Sequence, residues 1–536
     1  MLKIGKSPAQ LARLTSHSRI DQQHKISFTF DGKPYTGYAG DTLASALLAN
    51  GVHLVGRSFK YHRPRGILSA GSEEPNALIR LGKGAYAEPN LRATQIEIFD
   101  GLYAESQNRV PSLSFDIGAI NSVLARFFPA GFYYKTFMWP AAMWMKYEHV
   151  IRHAAGLGKA ADDHNDPDRY EKTHAHCDVL VAGGGACGLM AALQAGRSGA
   201  RVIIADEQNE FGGWLLGEAD IHIDDKPALD WIAQVRDELA TMANVTMLPR
   251  TTVFGYMDSN YLTLNERVTD HLPERPAHMP RQRLWKVRAK QTVLAQGAHE
   301  RPLVFAGNDL PGVMLAGAVR TYINRYATLP GQRAIVMTNN DDAYRTALAL
   351  VNAGARVTIS DLRAKPSGAL FRAATDAGIE ILTGHAVITA HGNHRIARVE
   401  MAPIDNTATA IVGDIIHRDC DLLAMSGGLS PAVHLHSQAR GKLQWDDKKL
   451  CFKPSTTHEA SVNAGAGNGT FDLASAIKEG IRGGARAASA AGFKNTMADS
   501  PSVTMPKQSW TPLAVWKIPN GHAEGAGPKA FAHQFQ

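Results

Sequence analysis

Cysteine is scarce in this 536-residue chain, which holds four (Cys177, Cys187, Cys420 and Cys451), and no two form a C-x-x-C pair. Their spacing builds neither a disulfide framework nor a zinc or iron-sulfur site, so no metal is expected and a reducing cytoplasm is the expected compartment. Long apolar runs are also missing. The longest, Val179 to Gly196, carries five glycines and reads as strand, turn and helix, so no membrane attachment is expected. The first twenty residues hold Lys3, Lys6, Arg13 and Arg19 without the apolar core of a secretory signal. A mobile basic arm is expected over 1–24, although a mitochondrial transit peptide would share that composition. No charge of one sign dominates: 57 basic against 50 acidic residues leave +7, too little for a nucleic-acid partner.

Glycine is plentiful, with 49 residues clustered where strands hand over to helices, and 44% hydrophobic with 20% charged residues is a globular composition. An α/β nucleotide-binding architecture of three or four domains follows. Over 25–110, Ile26 to Phe30 alternates, Asp31-Gly32 turns, Tyr35 to Tyr38 returns, and Asp41-Thr42 caps a helix from Leu43 to Asn50 ended by Gly51. The stretch is similar to a ferredoxin-like β-grasp domain, but no cysteine precedes Cys177, so a [2Fe-2S] cluster is ruled out. The loop Arg57 to Gly66 has four cations and no acid. It reads either as a solvated basic loop or as one meeting a cofactor phosphate or a partner subunit. Residues 111–176 form an aromatic-rich interface segment (Phe127, Phe128, Phe132, Tyr133, Tyr134, Phe137, Trp139, Trp144) followed by a polar linker from Lys159 to Lys172.

The strongest motif begins at Asp178. Val179 to Ala182 is a buried strand, Gly183-Gly-Gly185-Ala-Cys-Gly188 a turn, and Leu189 to Ala195 a helix. Gly183 permits the tight turn, Gly185 lets the backbone approach a pyrophosphate at the helix N-terminus, and Gly188 packs helix against strand. The next strand, Arg201 to Ala205, ends at Asp206, placed to accept hydrogen bonds from an adenosine ribose. An acid there disfavours a 2′-phosphate, so NAD or FAD is preferred to NADP. Phe211-Gly212-Gly213, Thr251 to Gly255, Thr292 to Pro302 with Gly297 in its turn, and Ala464 to Phe471 before a last helix complete a two-dinucleotide-binding flavoprotein layout. A second Rossmann-like unit over 331–412 (strands Ala334 to Met337 and Arg356 to Ser360) has no glycine where a nucleotide would press on it, and is read as degenerate. His299, Glu300 and Arg301 follow the closing turn and are read as structural, so no catalytic residue is assigned.

Ala39 to Asn50, Gly56 to Gly66, Ala130 to Pro140 and Ser426 to Pro431 closely resemble the alpha subunit of heterotetrameric sarcosine oxidase, with similarity from Ser18 to Phe493. The resemblance implies an oxidoreductase acting on CH-NH groups, as one subunit of a cytoplasmic hetero-oligomer of sarcosine catabolism that demethylates sarcosine to glycine. It implies beta, gamma and delta partner subunits and a small-molecule substrate oxidised on the beta subunit. NAD would be bound here and FMN at the interface with the beta subunit, with FAD in the first site as the alternative. Together, motif and resemblance put the cofactor on Gly183, Gly185, Ala186, Cys187, Gly188, Asp206, Glu207, Gln208, Gly213, Trp214, Val253, Gly297, Ala464, Gly465, Ala466, Thr470 and Phe471. Cys187 stands where the family usually has alanine and reads as a small buried hydrophobe. The nucleotide domain is expected over 177–330 and 413–494. The segment 495–536 reads as a linker to a folate-binding domain that the family carries next, and a truncated or split reading frame is the expectation. The rivals are the alpha subunit of a related amine, opine or proline dehydrogenase and a stand-alone FAD- and NADH-dependent oxidoreductase, which would want a second glycine fingerprint or a redox C-x-x-C.

Overall fold

A computed structural model describes residues 10–15, 18–123, 139–154, 158, 160–161, 165–494, 496–519 and 530. Strands Asp21–Phe30 and Lys33–Ala39 pair antiparallel around Asp31-Gly32, and the alternation buries Ile26, Phe28 and Phe30 on one face. They join Leu102–Ser106, Leu78–Leu81 and Glu88–Arg92 in a five-stranded sheet against the buried helix Leu43–Ala49. Thr42 and Ser45 cap that helix reciprocally, each side chain bonding the other's backbone N–H. The arm expected to be mobile is docked where it is described. The Gln10 amide donates to the Thr36 carbonyl at 2.7 Å, and Arg13 bridges Asp41 and the Tyr326 carbonyl, each at 2.6 Å.

The basic loop is neither solvated nor aimed at a phosphate. Arg63 forks onto Asp309 at 2.7 Å through two nitrogens, Arg65 reaches the same carboxylate, and Arg57 donates to the His62 and Leu113 carbonyls. The acids it needs are absent locally but supplied from far along the chain, which the local charge count does not reveal. Of the aromatic segment, Phe127, Phe128, Phe132, Tyr133, Tyr134 and Phe137 lie outside the described residues, and Trp139 is exposed.

The central sheet carries four parallel strands in the order Val245–Leu248, Val202–Ala205, Tyr170–Ala182 and Gln282–Leu294, then Tyr261–Arg267 and Thr251–Met257 antiparallel, with Ser461–Asn463 pairing Gln282–Leu294. Tyr170–Ala182 is far longer than its buried end at 177–182, so the linker expected up to Lys172 ends instead at Arg169. Its first half is polar and largely exposed, and only pairing with the equally long Gln282–Leu294 makes it a strand. Helix Ala186–Arg197 packs against the last helix, Leu473–Ala490, at backbone contact: a Cβ on Gly480 or Gly484 would stand 2.2 Å from the carbonyl of Cys187 or Ala191.

A second, wholly parallel sheet runs Val313–Leu315, Leu422–Ser426, Arg333–Thr338, Arg356–Asp361 and Glu380–Thr383. Two of these strands lie outside 331–412, so that span is too narrow for the unit. Short apolar strands carry no mark of which sheet they will join. This unit and the ferredoxin-like sheet share one continuous apolar core, whereas the nucleotide helices build another. The segment after 495 is not wholly a linker: Val503–Thr504 pairs His222–Ile223, and Val515 and Ile518 are buried. Among the described residues no helix is long and apolar enough to cross a membrane.

Asp309 is 2% exposed beneath its two arginines. Asp309→Ala is expected to destabilise the chain by about 3 kcal/mol, the lower end for a broken buried pair because the guanidinium groups keep some water. The midpoint of urea denaturation checks it.

Candidate functional site

The turn after strand Tyr170–Ala182 is dictated by space. Gly183 has φ +101°, where L side chains are strained, and a Cβ there would lie 2.4 Å from the Ala295 carbonyl oxygen. A Cβ on Gly188 would stand 1.9 Å from the Gly183 oxygen. No side chain caps helix Ala186–Arg197, whose N-cap is Gly185, so its first backbone N–H groups and positive dipole end face a cavity. Asp206, buried at the end of Val202–Ala205, accepts from Gly184 N–H at 2.6 Å and Gln208 N–H at 2.8 Å. Burial pushes its carboxyl up to about 6, against those two bonds. Each oxygen keeps a second lone pair for a sugar hydroxyl.

The cavity is about 780 Å³, in the range of cofactor clefts. Of the residues expected at a cofactor, Gly183, Gly185, Ala186, Cys187, Asp206, Glu207, Gln208, Gly213, Trp214, Val253, Gly297, Ala466, Thr470 and Phe471 line it. Gly188, Ala464 and Gly465 stand behind that lining. Ala464 is 1% exposed, and a Cβ on Gly465 would meet Cys187 Sγ at 2.9 Å. Glu479 pins the C-terminal loop, accepting from Gly465 N–H at 2.9 Å and Thr470 hydroxyl at 2.6 Å. At the far end the Phe471 and Trp510 rings lie 5.9 Å apart, and Trp214 lies beneath the Arg345 guanidinium, 5.1 Å from ring centre to charge.

Sequence reading missed several walls. Ala70 to Glu73 come from the ferredoxin-like domain, His434 and Gln438 from the helix His434–Gln438, and Gly317 and Arg320 from the second unit. None carries a local motif, and tertiary packing alone brings them here. Cys187 is buried beside Glu479 and its thiol is pushed far above its usual range, as burial also raises the other three. Glu300 accepts the Gly317 N–H at 2.7 Å, and Arg301 donates to the Leu450 carbonyl. Among the described residues no group of three or more His, Cys, Asp or Glu could hold a metal.

Residues 177–451 match the pyridine nucleotide-disulphide oxidoreductase family, and residues 23–109 match the 2Fe-2S iron-sulfur cluster binding domain. The latter stretch has no cysteine, so it offers a cluster no thiolate and does not fit one. The chain is 49% identical over 471 residues to sarcosine oxidase subunit alpha of Rhizobium meliloti (strain 1021), covering 87% of this chain and 46% of that protein. It is 39% identical over 515 residues to sarcosine oxidase subunit alpha of Corynebacterium sp. (strain U-96), covering 95% and 48%. The chain thus spans about half the length of the curated relatives it matches. Among solved structures, L-proline dehydrogenase from P. horikoshii shares the fold at TM-score 0.59 and 18% identity, over 91% of this chain and 77% of that one.

Two outcomes follow for the site. Gly183→Ala is expected to abolish nucleotide retention and cost several °C of melting temperature, checked by nucleotide release from purified protein and a thermal melt. Burial pushes the Glu300 carboxyl up to about 7 from 4.5. The folded chain therefore holds that proton more tightly than the unfolded one, so stability is fullest below about pH 4.5 and falls as pH climbs to 7. The loss is at most about 3 kcal/mol, since the side chain edges the cavity. Glu300→Gln is expected to flatten that slope in denaturation curves taken between pH 5 and 8.

Proposed function

Since the chain belongs to the pyridine nucleotide-disulphide oxidoreductase family and is a homologue of sarcosine oxidase alpha subunits, we propose that it is the NAD-binding, alpha-type component of a sarcosine-oxidising complex. The observation that carries the reading is the uncapped helix N-terminus behind Gly183 and Gly185, opening on a cavity bordered by Asp206 and Glu207. The N–H groups of Ala186 and Cys187 receive the pyrophosphate, and Gly213 keeps the facing wall free of a side chain. Asp206 accepts from the ribose, while Val253 and Gly297 flank the adenosine. Ala466, Thr470 and Phe471 border the other half of the dinucleotide, and the tilted pair Phe471 and Trp510 screens it from water.

On this reading NAD is held here without being reduced in turnover, and FMN at an interface with a beta subunit would pass electrons to oxygen. This chain's residues bind and orient. His299 and His434 line the cavity. The oxidation of the CH-NH bond of sarcosine to give glycine is assigned to the beta subunit, with gamma and delta subunits completing the assembly. Similarity to sarcosine oxidase alpha subunits over 87% and 95% of this chain supports that placement.

The test is to purify the chain, denature it and identify the released nucleotide by mass. Pyridine nucleotide without flavin is the expected result, and co-expression with a sarcosine oxidase beta subunit is expected to give sarcosine-dependent oxygen uptake. Flavin released from the chain alone would overturn NAD in favour of FAD in this site. A folded chain that is empty and takes up no adenine dinucleotide on titration would overturn the reading altogether.

A further inference from the structure

The ferredoxin-like domain contributes a wall to the cavity through a loop anchored in its own core by Leu68 and Ala77. Glu74, fully buried, uses one carboxylate oxygen to accept the N–H groups of Leu68 and Ser69 at 2.8 and 2.7 Å, and the other for those of Asn76 and Ala77 at 2.8 and 3.0 Å. Four charge-assisted bonds to one carboxylate make residues 68–77 rigid. The loop is tied outward as well. Thr94 donates to the Gly71 carbonyl at 2.7 Å, and Tyr322 of the second unit donates to the Ser69 carbonyl at 2.8 Å.

So held, the loop presents Ala70, Gly71, Ser72 and Glu73 to the cavity beside Glu207, one residue past the strand end where the ribose is placed. The Ser72 hydroxyl donates to the Glu207 carboxylate at 2.6 Å across the domain boundary. Burial raises the proton affinity of Glu207 most, and the neighbouring Glu73 carboxyl raises it further, so the two carboxyls are electrostatic neighbours. Two cations stand nearby, Arg92 lowering the proton affinity of Glu73 and Arg267 that of Glu207. Arg267 donates to the Glu207 carbonyl at 2.7 Å, and Arg92, itself on the cavity wall, donates to the Glu74 carbonyl at 3.2 Å.

We propose that this loop is the ribose-side wall of the nucleotide site, and that Glu73, with Glu207 held in place by Ser72, restricts the site to adenosine diphosphate moieties whose 2′-hydroxyl is free. A 2′-phosphate would bring two negative charges against a partly buried pair of carboxyls, where screening by water is weak. A free hydroxyl instead donates to them. The ferredoxin-like domain thus serves as the specificity wall of its neighbour's site, in place of holding a cluster. The inference rests on the nucleotide reading above.

Calorimetric titration of the nucleotide-stripped full chain with ADP-ribose and with 2′-phospho-ADP-ribose tests it without any turnover. The native chain is expected to prefer ADP-ribose by roughly 100-fold, as for a like-charge juxtaposition. Glu73→Gln is expected to cut that ratio roughly tenfold, mainly through tighter binding of the phosphorylated ligand. Ser72→Ala, which releases Glu207, is expected to weaken ADP-ribose binding several-fold and narrow the ratio too, and it carries the test if Glu73→Gln does not fold by circular dichroism. Equal affinity of the native chain for both ligands, or a ratio unchanged in the folded variants, overturns the proposal while leaving nucleotide binding intact. Affinity for the phosphorylated ligand that disappears in Arg92→Ala also overturns it, by showing that the wall reads the phosphate through its cation. A native chain that binds neither ligand fails at the earlier step, and the nucleotide reading falls with it.

Discussion

Backbone-to-backbone contact around residues 183–188 is the constraint on which the rest of this structure depends. Gly183 abuts the Ala295 carbonyl, Gly188 the Gly183 carbonyl, and Gly480 and Gly484 the backbone of the same helix from its other side. Four elements thereby converge at distances no side chain permits. Convergence has a chemical consequence: the helix start cannot be covered by a capping side chain, and its N–H groups open on the cavity. Asp206 then locks the turn from below by accepting the Gly184 N–H. The residues that meet the packing requirement also leave the helix start open to the cavity.

The ferredoxin-like domain keeps its sheet and helix with no thiolate to hold a cluster. Without cysteines, its basic loop folds onto Asp309 of the second unit, and the two share one apolar core. The arginines are satisfied by a carboxylate 2% exposed, an arrangement that fixes relative orientation more than it adds stability. A rigid joint here is what lets the 68–77 loop stand as a wall of a cavity belonging to another domain.

A second buried ionic cluster joins the nucleotide unit to the degenerate one. Glu218 lies between Arg320 at 2.9 Å and Arg345 at 2.6 Å, and Arg320 also holds Asp342 at 2.9 Å. Trp214 lies 5.9 Å from the Arg320 guanidinium and 5.1 Å from that of Arg345, so the far end of the cavity is a surface of charge and aromatic ring. The second unit reaches the cavity through its first helix, Ala316–Asn324, which supplies Gly317 and Arg320 to the wall.

Wherever function follows from contacts close along the chain, the sequence alone determined it. The glycine spacing, the flanking strand and helix, the acid at 206 and the cap at Thr42 are all local, because turn geometry and helix ends are set by a few neighbouring residues. Most of the cofactor-facing residues named from that grammar do line the cavity. Tertiary structure decided everything that depends on partners hundreds of residues apart: that Arg63 and Arg65 are spent on Asp309, that Tyr170 to His176 is a strand, that Val313–Leu315 and Leu422–Ser426 complete the second sheet, and that Ser72 meets Glu207. Periodicity and charge counts report a residue's own preference, whereas pairing and burial depend on what arrives opposite, and no local pattern records that.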